Sequence, residues 1–286
     1  MQTLSELVAA ELAQPVDPRV IAMAGTIAER HGKASRAVLF YGSCLRESRL
    51  DGLMLDFYLI VSDYRAAYDK RWLAHANALI PPNVFPIEHR GLAAKYAVLS
   101  EADFHRLCGP ETRNVSVWAR FAQPSRLVWA ADAAARSKAV NSVARAAPTL
   151  LAAAGCVAGE QPLDWWRRAF ALTYSAELRA ERSGRSASVV DADRDRYAHF
   201  FEPAVAAIEA KARAGSWGRR RLEGKALSVL RLAKASATYA GGADYIVWKI
   251  NRHAGTKIEL KPWQRRHPLL GAVSLLPRLI RSGAIR

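Results

Sequence analysis

The sequence has few of the residues that identify several common classes of protein. Its three cysteines, Cys44, Cys108 and Cys156, form no CxxC pair, which argues against a thiolate zinc site and against a disulfide framework. The seven histidines show no HxxxH or HxH spacing. No stretch approaches the roughly 20 apolar residues of a membrane-spanning helix, and the N-terminal segment, which contains acidic residues, does not resemble a signal peptide. We therefore expect a protein of the cytoplasm or of a membrane surface.

Acidic residues are also scarce relative to basic ones. The chain has 42 Lys and Arg against 26 Asp and Glu, a formal net charge of +16. Such an excess attracts polyanions, which here means nucleic acid, anionic lipid or phosphorylated small molecules. A GC-rich genome, which favours arginine and alanine, is the alternative explanation. The length of 286 residues and the hydrophobic fraction of 51% are those of a globular protein with one large core or two modest ones.

The pattern of apolar residues changes near residue 130. Before it, short apolar runs alternate with helical segments and predict strands over Ala37–Tyr41, Leu53–Val61, Ala94–Ser100 and Ser125–Ala130. After it, the pattern is helical, with segments over Ala133–Ala154, Leu163–Arg182 and Tyr197–Lys211. The sequence therefore predicts an α/β (α+β) domain with a small mixed sheet over 1–130, a mostly helical domain over 131–248, and a basic amphipathic tail over 249–286.

The most informative segment is residues 37–63, AVLFYGSCLRESRLDGLMLDFYLIVSD. It predicts a strand, a Gly-Ser turn, a loop that holds Glu47 and Asp51, and a second strand with Asp56 near its start. Gly42 lets the backbone approach phosphate oxygens because it has no Cβ, and Ser43 can donate its hydroxyl and its N–H. A helix that begins directly after the turn would add to this anion site. The order of elements is typical of sites for nucleotidyl transfer.

A nucleotidyltransferase also needs a divalent metal. Mg²⁺ prefers oxygen ligands from one or two carboxylates together with phosphates and waters. The expected position of a second carboxylate, two residues after Asp56 on the same strand face, is Tyr58. We therefore expect Asp56 to bind Mg²⁺ with help from Asp51, and Glu88 is a weaker alternative. Lys95 is either an ordinary lysine at a strand edge or a ligand of phosphate.

Five short blocks match signatures of one enzyme family, in the same order, over roughly residues 35–250. They are YGSCLRE followed by LMLDF, then AKYAVLS, then VSVWARFAQPSRLV, then LTYSAELR, and finally TYAGGADYIVWK. In these blocks the chain resembles the mitochondrial-type phosphatidate cytidylyltransferases, the translocator assembly and maintenance family of peripheral CDP-diacylglycerol synthases. The chain departs from the family pattern where Cys44 replaces a glycine, Gln123 a lysine, and Ala176-Glu177 a Gly-Asp pair. These departures indicate either a diverged bacterial member or an altered choice of substrate.

The resemblance implies a nucleotidyltransferase-like domain, a helical, winged-helix-like second domain and a basic tail on the membrane. It implies the Mg²⁺-dependent reaction of CTP with phosphatidate to give CDP-diacylglycerol and pyrophosphate. It also implies that Asp56, Ser43 and Lys95 are the catalytic residues. The nucleotide and its phosphates would be bound by Gly42, Ser43, Arg120, Tyr174 and Arg179.

The C-terminal segment offers independent support for membrane binding. Leucines and other apolar residues from Leu269 to Ile280 alternate with Arg278 and Arg281, which is typical of an interfacial segment on anionic lipid. A helix packed on its own protein is the alternative. We expect CTP and phosphatidate in an anionic membrane surface as partners, with no nucleic acid. The enzyme would be peripheral on the bacterial inner membrane, or on the mitochondrial inner membrane in a eukaryote.

Two other functions remain open from the sequence alone. One is a nucleotidyltransferase with a soluble acceptor, such as RNA, a protein or a small molecule. The other is a non-catalytic basic protein that binds nucleic acid, although the chain has no clear helix-turn-helix and no aromatic-basic RNA-binding signature.

Overall fold

The structure is a computed structural model that describes residues 2–46, 50–177, 189–209, 216–238, 259–266 and 274. Glu47 and Arg179 lie outside these ranges, and so do the apolar residues from Leu269 to Ile280 and the arginines Arg278 and Arg281 of the expected membrane tail. Among the described helices, none is both long enough and apolar enough to cross a membrane.

A five-stranded mixed sheet forms the centre of the fold and confirms the predicted α/β class. Its strands are β1 (Ser35–Tyr41), β2 (Met54–Val61), β3 (Asn83–His89), β4 (Leu92–Ser100) and β5 (Ser125–Ala130). The spatial order is β3-β4-β2-β1-β5. Strands β2 and β4 are parallel, and the other neighbouring pairs are antiparallel.

Helices cover both faces of the sheet and make up the regular structure described after residue 130. The α-helices include α1 (Leu4–Leu12), α2 (Pro18–Glu29), α3 (Tyr64–Ala67), α4 (Arg71–Leu79), α5 (Glu101–Cys108), α6 (Trp118–Phe121), α7 (Ala133–Ala144), α8 (Ala146–Ala154), α9 (Pro162–Ala176), α10 (Arg194–Ala206), α11 (Trp217–Thr238) and α12 (Pro262–Arg266). Several begin at side chains that accept backbone N–H bonds, as Ser100 does from Asp103 at 3.1 Å.

Alternation along the strands divides the core in two. Phe57, Leu59 and their neighbours on one face pack against α2, α3 and α4. Tyr58 and Ile60 on the other face join a larger cluster that also contains buried residues of the later helices, such as Trp166. This larger cluster therefore includes residues from both sides of position 130. The division into two domains remains a prediction.

The structure differs from the sequence-based expectation in three helical segments. The mixed basic and apolar residues of Ala66–Leu79 predict one surface helix, and the structure has two helices there, α3 and α4. The segment Ala133–Ala154 is divided at Arg145 into α7 and α8. Helix α9 ends at Ala176, before the predicted end at Arg182. Short breaks of this kind depend on tertiary packing, which periodicity alone does not record.

The prolines of residues 81–88, PPNVFPIE, predict an extended or turn-like segment, and the structure has strand β3 there. Pro86 lies within it, opposite Lys95 of β4. Because β3 is at the edge of the sheet, its outer side has no neighbouring strand in the sheet order. Proline is tolerated at such a position, since it removes one N–H donor that a central strand would need.

Helix α11 packs against α9 through a close backbone contact at Gly224. A Cβ at this buried position would lie 2.1 Å from the carbonyl oxygen of Ala176, the last residue of α9. Only glycine allows that approach without moving one of the helices. The contact fixes where α11 passes over the sheet.

A buried ion pair joins α1 to α10. Arg196 Nη2 donates to Glu11 Oε1 at 3.1 Å, and the side chains of Glu11 and Arg196 are 8% and 9% exposed. Arg196 Nη1 also donates to the carbonyl oxygen of Ala122 at 3.1 Å, directly after α6. Removal of the carboxylate would leave a buried guanidinium without its charged partner.

We expect Glu11→Ala to lower the free energy of unfolding by about 3–5 kcal/mol, because an uncompensated buried charge remains. Urea unfolding followed by circular dichroism measures the change. Glu29→Ala, at an exposed position at the end of α2, is the matched control and should change stability by less than about 0.5 kcal/mol. Equal effects of the two substitutions would show that the Glu11–Arg196 pair does not hold α1 in place.

Candidate functional site

The end of the sheet where β1 finishes and β2 and β4 begin contains the predicted catalytic residues. In the strand register, Tyr41 is opposite Asp56, and Asp56 is opposite Lys95. Lys95 Nζ lies 3.0 Å from Asp56 Oδ1, and the two side chains are each 25% exposed. Three neighbouring strands therefore place a carboxylate and an ammonium group together at one end of the sheet.

Gly42 follows β1 and lies directly beside this pair. Its φ is +96°, and a Cβ at this position would be 3.5 Å from Asp56 Oδ2. The Gly-Ser turn and the strand aspartate, separated by 13 positions in the sequence, thus share one site. The absence of a Cβ leaves room for another group beside the carboxylate.

The turn after Gly42 is shorter than the anion-binding helix that the sequence suggested. Ser43 begins a four-residue 3₁₀ turn that ends at Arg46, and Ser43 is exposed. A single turn of this kind has fewer aligned peptides than a longer helix, so its contribution to an anion site is smaller. Cys44 is buried, and its Sγ lies 3.6 Å from the carbonyl oxygen of Met54.

The two residues expected as a second metal ligand, Asp51 and Glu88, are both exposed. Asp51 forms an ion pair with Arg19 of α2 at 3.1 Å. Glu88 is exposed on β3. Within the described ranges, no group of three or more His, Cys, Asp or Glu side chains is placed to hold a metal ion. Asp56 supplies one partly exposed carboxylate, which matches the way in which Mg²⁺ uses one or two protein carboxylates together with substrate phosphates.

A cavity of about 170 Å³ extends along the sheet from this end. Tyr58, two residues beyond Asp56 on the same strand face, is buried on its floor and contacts Tyr41, with ring centroids 5.3 Å apart. The side chains of Ser116 and Val84 also line the cavity. Its cationic lining residues are Lys95, Arg120, Arg231 and Lys234.

Arg120 is a predicted phosphate ligand, and the structure gives it a carboxylate partner. Its Nη1 lies 3.5 Å from Glu177 Oε1, and the Glu177 side chain is 9% exposed. Burial alone would lower the pKa of Arg120, but Glu177, Tyr58, Tyr41 and Asp56 together raise it above its usual value. Arg120 therefore stays charged, and part of its charge is balanced within the protein.

The tyrosines beside Arg120 stay protonated. Burial raises the pKa of Tyr41 well above its ordinary value, and the negative charge of Asp56 raises it further. Burial also raises the pKa of Tyr58, against the opposing effect of Arg120. Both hydroxyl groups are consequently neutral near pH 7 and can act as hydrogen-bond donors.

Arg231 and Lys234 are the site residues that the sequence did not reveal. They lie on α11, in a part of the sequence, GSWGRRRLEGKALSVLRLAK (residues 215–234), whose only evident feature is its many basic residues. Local sequence gives no signal that separates them from exposed neighbours such as Lys225. Their spacing of three residues, which puts both side chains on one face of a helix, is the feature of the sequence that could have paired them.

Two predicted ligands are not brought to the cavity by the described contacts. Tyr174 is partly buried on α9 and packs against the larger core cluster. Arg179 lies outside the described residues. Glu177, which belongs to the same sequence block LTYSAELR, contacts the cavity residue Arg120.

A second cavity, of about 200 Å³, lies away from this end of the sheet. Its lining includes Leu4, Pro148 and Arg145. Arg145 already pairs with Glu209 at 3.2 Å and with Glu111. The second cavity contains none of the predicted site residues, and the smaller one is therefore the candidate active site.

Comparison with models of protein families found none that matches the chain. A search of curated proteins found no match either. The resemblance to phosphatidate cytidylyltransferases therefore remains a prediction from the sequence blocks.

We expect Gly42→Ala to destabilise the protein by about 1–2 kcal/mol, because an L-residue is strained at this φ. Gly25→Ala is the matched control, since Gly25 is within α2 and a Cβ there would meet nothing within 4 Å. The control should raise stability by roughly 0.5–1 kcal/mol through helix propensity. Urea unfolding of both variants measures the two signs, and a stabilised Gly42→Ala variant would contradict the strained turn.

Proposed function

We propose that this protein is a CTP:phosphatidate cytidylyltransferase that forms CDP-diacylglycerol and pyrophosphate at a membrane surface with Mg²⁺. The observation that carries the nucleotidyltransferase class is the closeness of Gly42 to Asp56, whose partner Lys95 lines a cavity together with three other cations. A turn without a Cβ, a carboxylate and several positive charges are the groups that a metal-bound triphosphate needs. CTP and phosphatidate come from the family resemblance of the five sequence blocks.

Asp56 is the residue that would hold Mg²⁺, and Asp51 is the proposed helper. A bound Mg²⁺ would neutralise phosphate charge and polarise the α-phosphorus. Asp56 fits this role because its carboxylate is partly exposed and a hard oxygen donor. Its present partner, Lys95, is a cation that can turn to a phosphate oxygen when the carboxylate is otherwise occupied.

The remaining side chains would bind and orient the two substrates. Gly42 and Ser43 leave space for the triphosphate and offer it the Ser43 N–H and hydroxyl. Lys95 and Arg120 bring positive charge to the transferred group. Tyr41 and Tyr58 form an apolar floor with neutral hydroxyl groups and keep bulk water from the sheet face.

The reaction forms one bond between phosphorus and oxygen and breaks another. A phosphate oxygen of phosphatidate attacks the α-phosphorus of CTP, and the bond from that phosphorus to the bridging oxygen of the β-phosphate breaks. Pyrophosphate leaves with the bonding electrons. The attacking phosphate is already ionised, so a strong general base is unnecessary, and positioning and charge neutralisation provide most of the acceleration.

The lipid acceptor places the protein on a membrane. Phosphatidate lies in a bilayer, and the net charge of +16 favours an anionic surface. We propose a peripheral protein on the cytoplasmic side of a bacterial inner membrane, or on the mitochondrial inner membrane in a eukaryote.

We expect Asp56→Asn to lower Mg²⁺-dependent turnover by roughly 10³-fold, because the amide cannot replace a metal-binding carboxylate. The assay incubates the purified protein with radiolabelled CTP, Mg²⁺ and vesicles that contain phosphatidate, and counts label in the organic phase. The unfolding free energy should change by less than about 1 kcal/mol, since the Asp56–Lys95 pair is partly exposed.

Asp63→Asn is the matched control. Asp63 caps α3 by accepting backbone bonds from Arg65 and Ala66 at 2.9 Å, and asparagine preserves such a cap. The control should keep wild-type turnover. Full activity of Asp56→Asn would show that Asp56 is not the metal ligand, and pyrophosphate release without any organic-soluble label would point to a soluble acceptor.

A further inference from the structure

Arg231 and Lys234 extend from one face of α11 into the cavity described above. Arg231 Nε donates to the carbonyl oxygen of Pro81 at 2.8 Å, and its Nη1 donates to Ser116 Oγ at 2.9 Å. Lys234 Nζ donates to the carbonyl oxygen of Pro82 at 2.8 Å and also to that of Ile80. These acceptors are neutral oxygen atoms, and the contacts orient the two cations that line the cavity.

The segment that holds these cations is itself fixed by buried asparagines. Asn83 N donates to Asn77 Oδ1 at 2.6 Å, and Asn77 Nδ2 donates to the carbonyl oxygen of Val98 at 3.0 Å. Asn77 and Asn83 are fully buried. The carbonyl groups of residues 80–82 are consequently a rigid support between α4 and β3, and they preorganise the two basic side chains.

Burial makes both positive charges costly. It lowers the pKa of Lys234 to about 7, and nearby Arg231 contributes to the same shift. Burial likewise lowers the pKa of Arg231, although Tyr58 and Glu177 oppose the effect. An anion that enters the cavity would relieve this cost and interact strongly in a poorly hydrated space.

We infer that Arg231 and Lys234, together with the hydroxyl group of Ser116, form a subsite for a phosphate dianion at the α11 side of the cavity. Guanidinium groups bind phosphate through two N–H donors, and an ammonium group adds a compact charge. Lys95, which pairs with Asp56, lines the same cavity as these groups. One cavity can thereby offer positive charge to more than one phosphate group.

Which substrate supplies the phosphate rests on the proposed function. Nucleotidyl transfer to a phosphate acceptor brings two phosphate sources together, the acceptor phosphate and the β- and γ-phosphates that leave as pyrophosphate. Both present the same chemistry to Arg231 and Lys234. Binding and kinetic measurements separate the subsite from the reaction and one source from the other.

The binding experiment uses sulfate, a dianion that does not titrate near neutral pH, and the full-length protein in a calorimeter. We expect Arg231→Gln and Lys234→Gln each to weaken sulfate binding by about tenfold or more, because each removes a charge-assisted hydrogen bond. Lys225→Gln, at an exposed position of α11, is the matched control and should retain wild-type affinity. Asp56→Asn should also bind sulfate at least as well as the wild type.

Thermal unfolding of each variant checks that the fold is retained. Arg231→Lys provides a second test at the same position, since it keeps the charge but loses the two-donor fork, and its affinity should fall between those of the wild type and Arg231→Gln. The subsite would be overturned if folded Lys234→Gln bound sulfate with wild-type affinity. It would also be overturned if Lys225→Gln lost as much sulfate affinity as Lys234→Gln.

The pH dependence of sulfate binding gives a further readout. The charged and titratable groups that line the cavity with Lys234 are Arg231 on the same helix, Arg120 on α6, Lys95 on β4, Tyr58 on β2 and Tyr41 on β1. Glu177, after α9, acts on Arg120 and Arg231 from beside the cavity. Lys234 is protonated below about pH 7 and loses its charge as the pH rises through that value. Sulfate affinity should therefore fall roughly tenfold from pH 6 to pH 8 in the wild type. Lys234→Gln should abolish most of that change, and an unchanged pH profile in this variant would contradict the role of Lys234.

Steady-state kinetics identify the source of the phosphate. A rise of about tenfold in the KM for phosphatidate in Arg231→Lys, with the KM for CTP unchanged, assigns the subsite to the acceptor. A rise in the KM for CTP, with weaker product inhibition by pyrophosphate, assigns it to the leaving group. Unchanged values of both constants would overturn its role in the reaction.

Failure of the subsite and failure of the proposed function give different results. Sulfate binding that depends on Arg231 and Lys234, without formation of CDP-diacylglycerol by the wild type, would reject the cytidylyltransferase and retain the subsite. Formation of CDP-diacylglycerol that is lost in Asp56→Asn, together with sulfate binding that ignores Arg231 and Lys234, would retain the enzyme and reject the subsite.

Discussion

The parallel pairing of β2 with β4 is the constraint on which the site depends. It aligns Asp56 with Lys95, and the antiparallel pairing of β1 with β2 brings the end of β1 to the same place. Side chains alternate across a strand, so a shift of one residue would turn Asp56 toward the opposite face of the sheet, where Phe57 and Leu59 pack. The apolar side chains of β2, buried on both faces, fix the register and hence the chemistry.

Electrostatics in the cavity follow from how each charge is supported. Asp56 balances Lys95, and Glu177 balances Arg120. Arg231 and Lys234 contact backbone carbonyl groups and a serine hydroxyl. Four cationic side chains thus line one cavity. Such a lining suits a ligand with several negative charges, as a nucleotide triphosphate or a pair of phosphate esters has.

Part of this architecture could be predicted from the sequence because it depends on local patterns. The apolar runs around Leu39 and Leu59 are long and uniform, and they predicted the central strands. The adjacency of Gly42 and Asp56 also followed from the order of strand, turn and strand. The prolines of β3 concealed an edge strand, since their local effect resembles that of a turn. Arg231 and Lys234 were indistinguishable from other basic residues, because only tertiary packing directs them inward.

The departures from the family blocks have separate local explanations. Cys44 is buried and contacts the backbone of Met54, and among the described non-glycine residues only Arg90 has a positive φ. A side chain is therefore tolerated where the family has glycine. Glu177 forms the partner of Arg120, so an acidic residue remains useful at that position. The side chain of Gln123 donates to the carbonyl oxygen of Ala119 at 2.8 Å and fastens the turn after α6.

Gly224 gives the cavity an unexpected dependence on a distant contact. Seven residues separate Gly224 from Arg231, a rise of roughly 10 Å along the helix axis. Gly224 and the two cationic side chains belong to the same helix, so a larger residue at position 224 would displace α11 from Ala176 and shift Arg231 and Lys234 with it. The placement of these cations therefore depends on the absent side chain of a residue that is not part of the cavity lining.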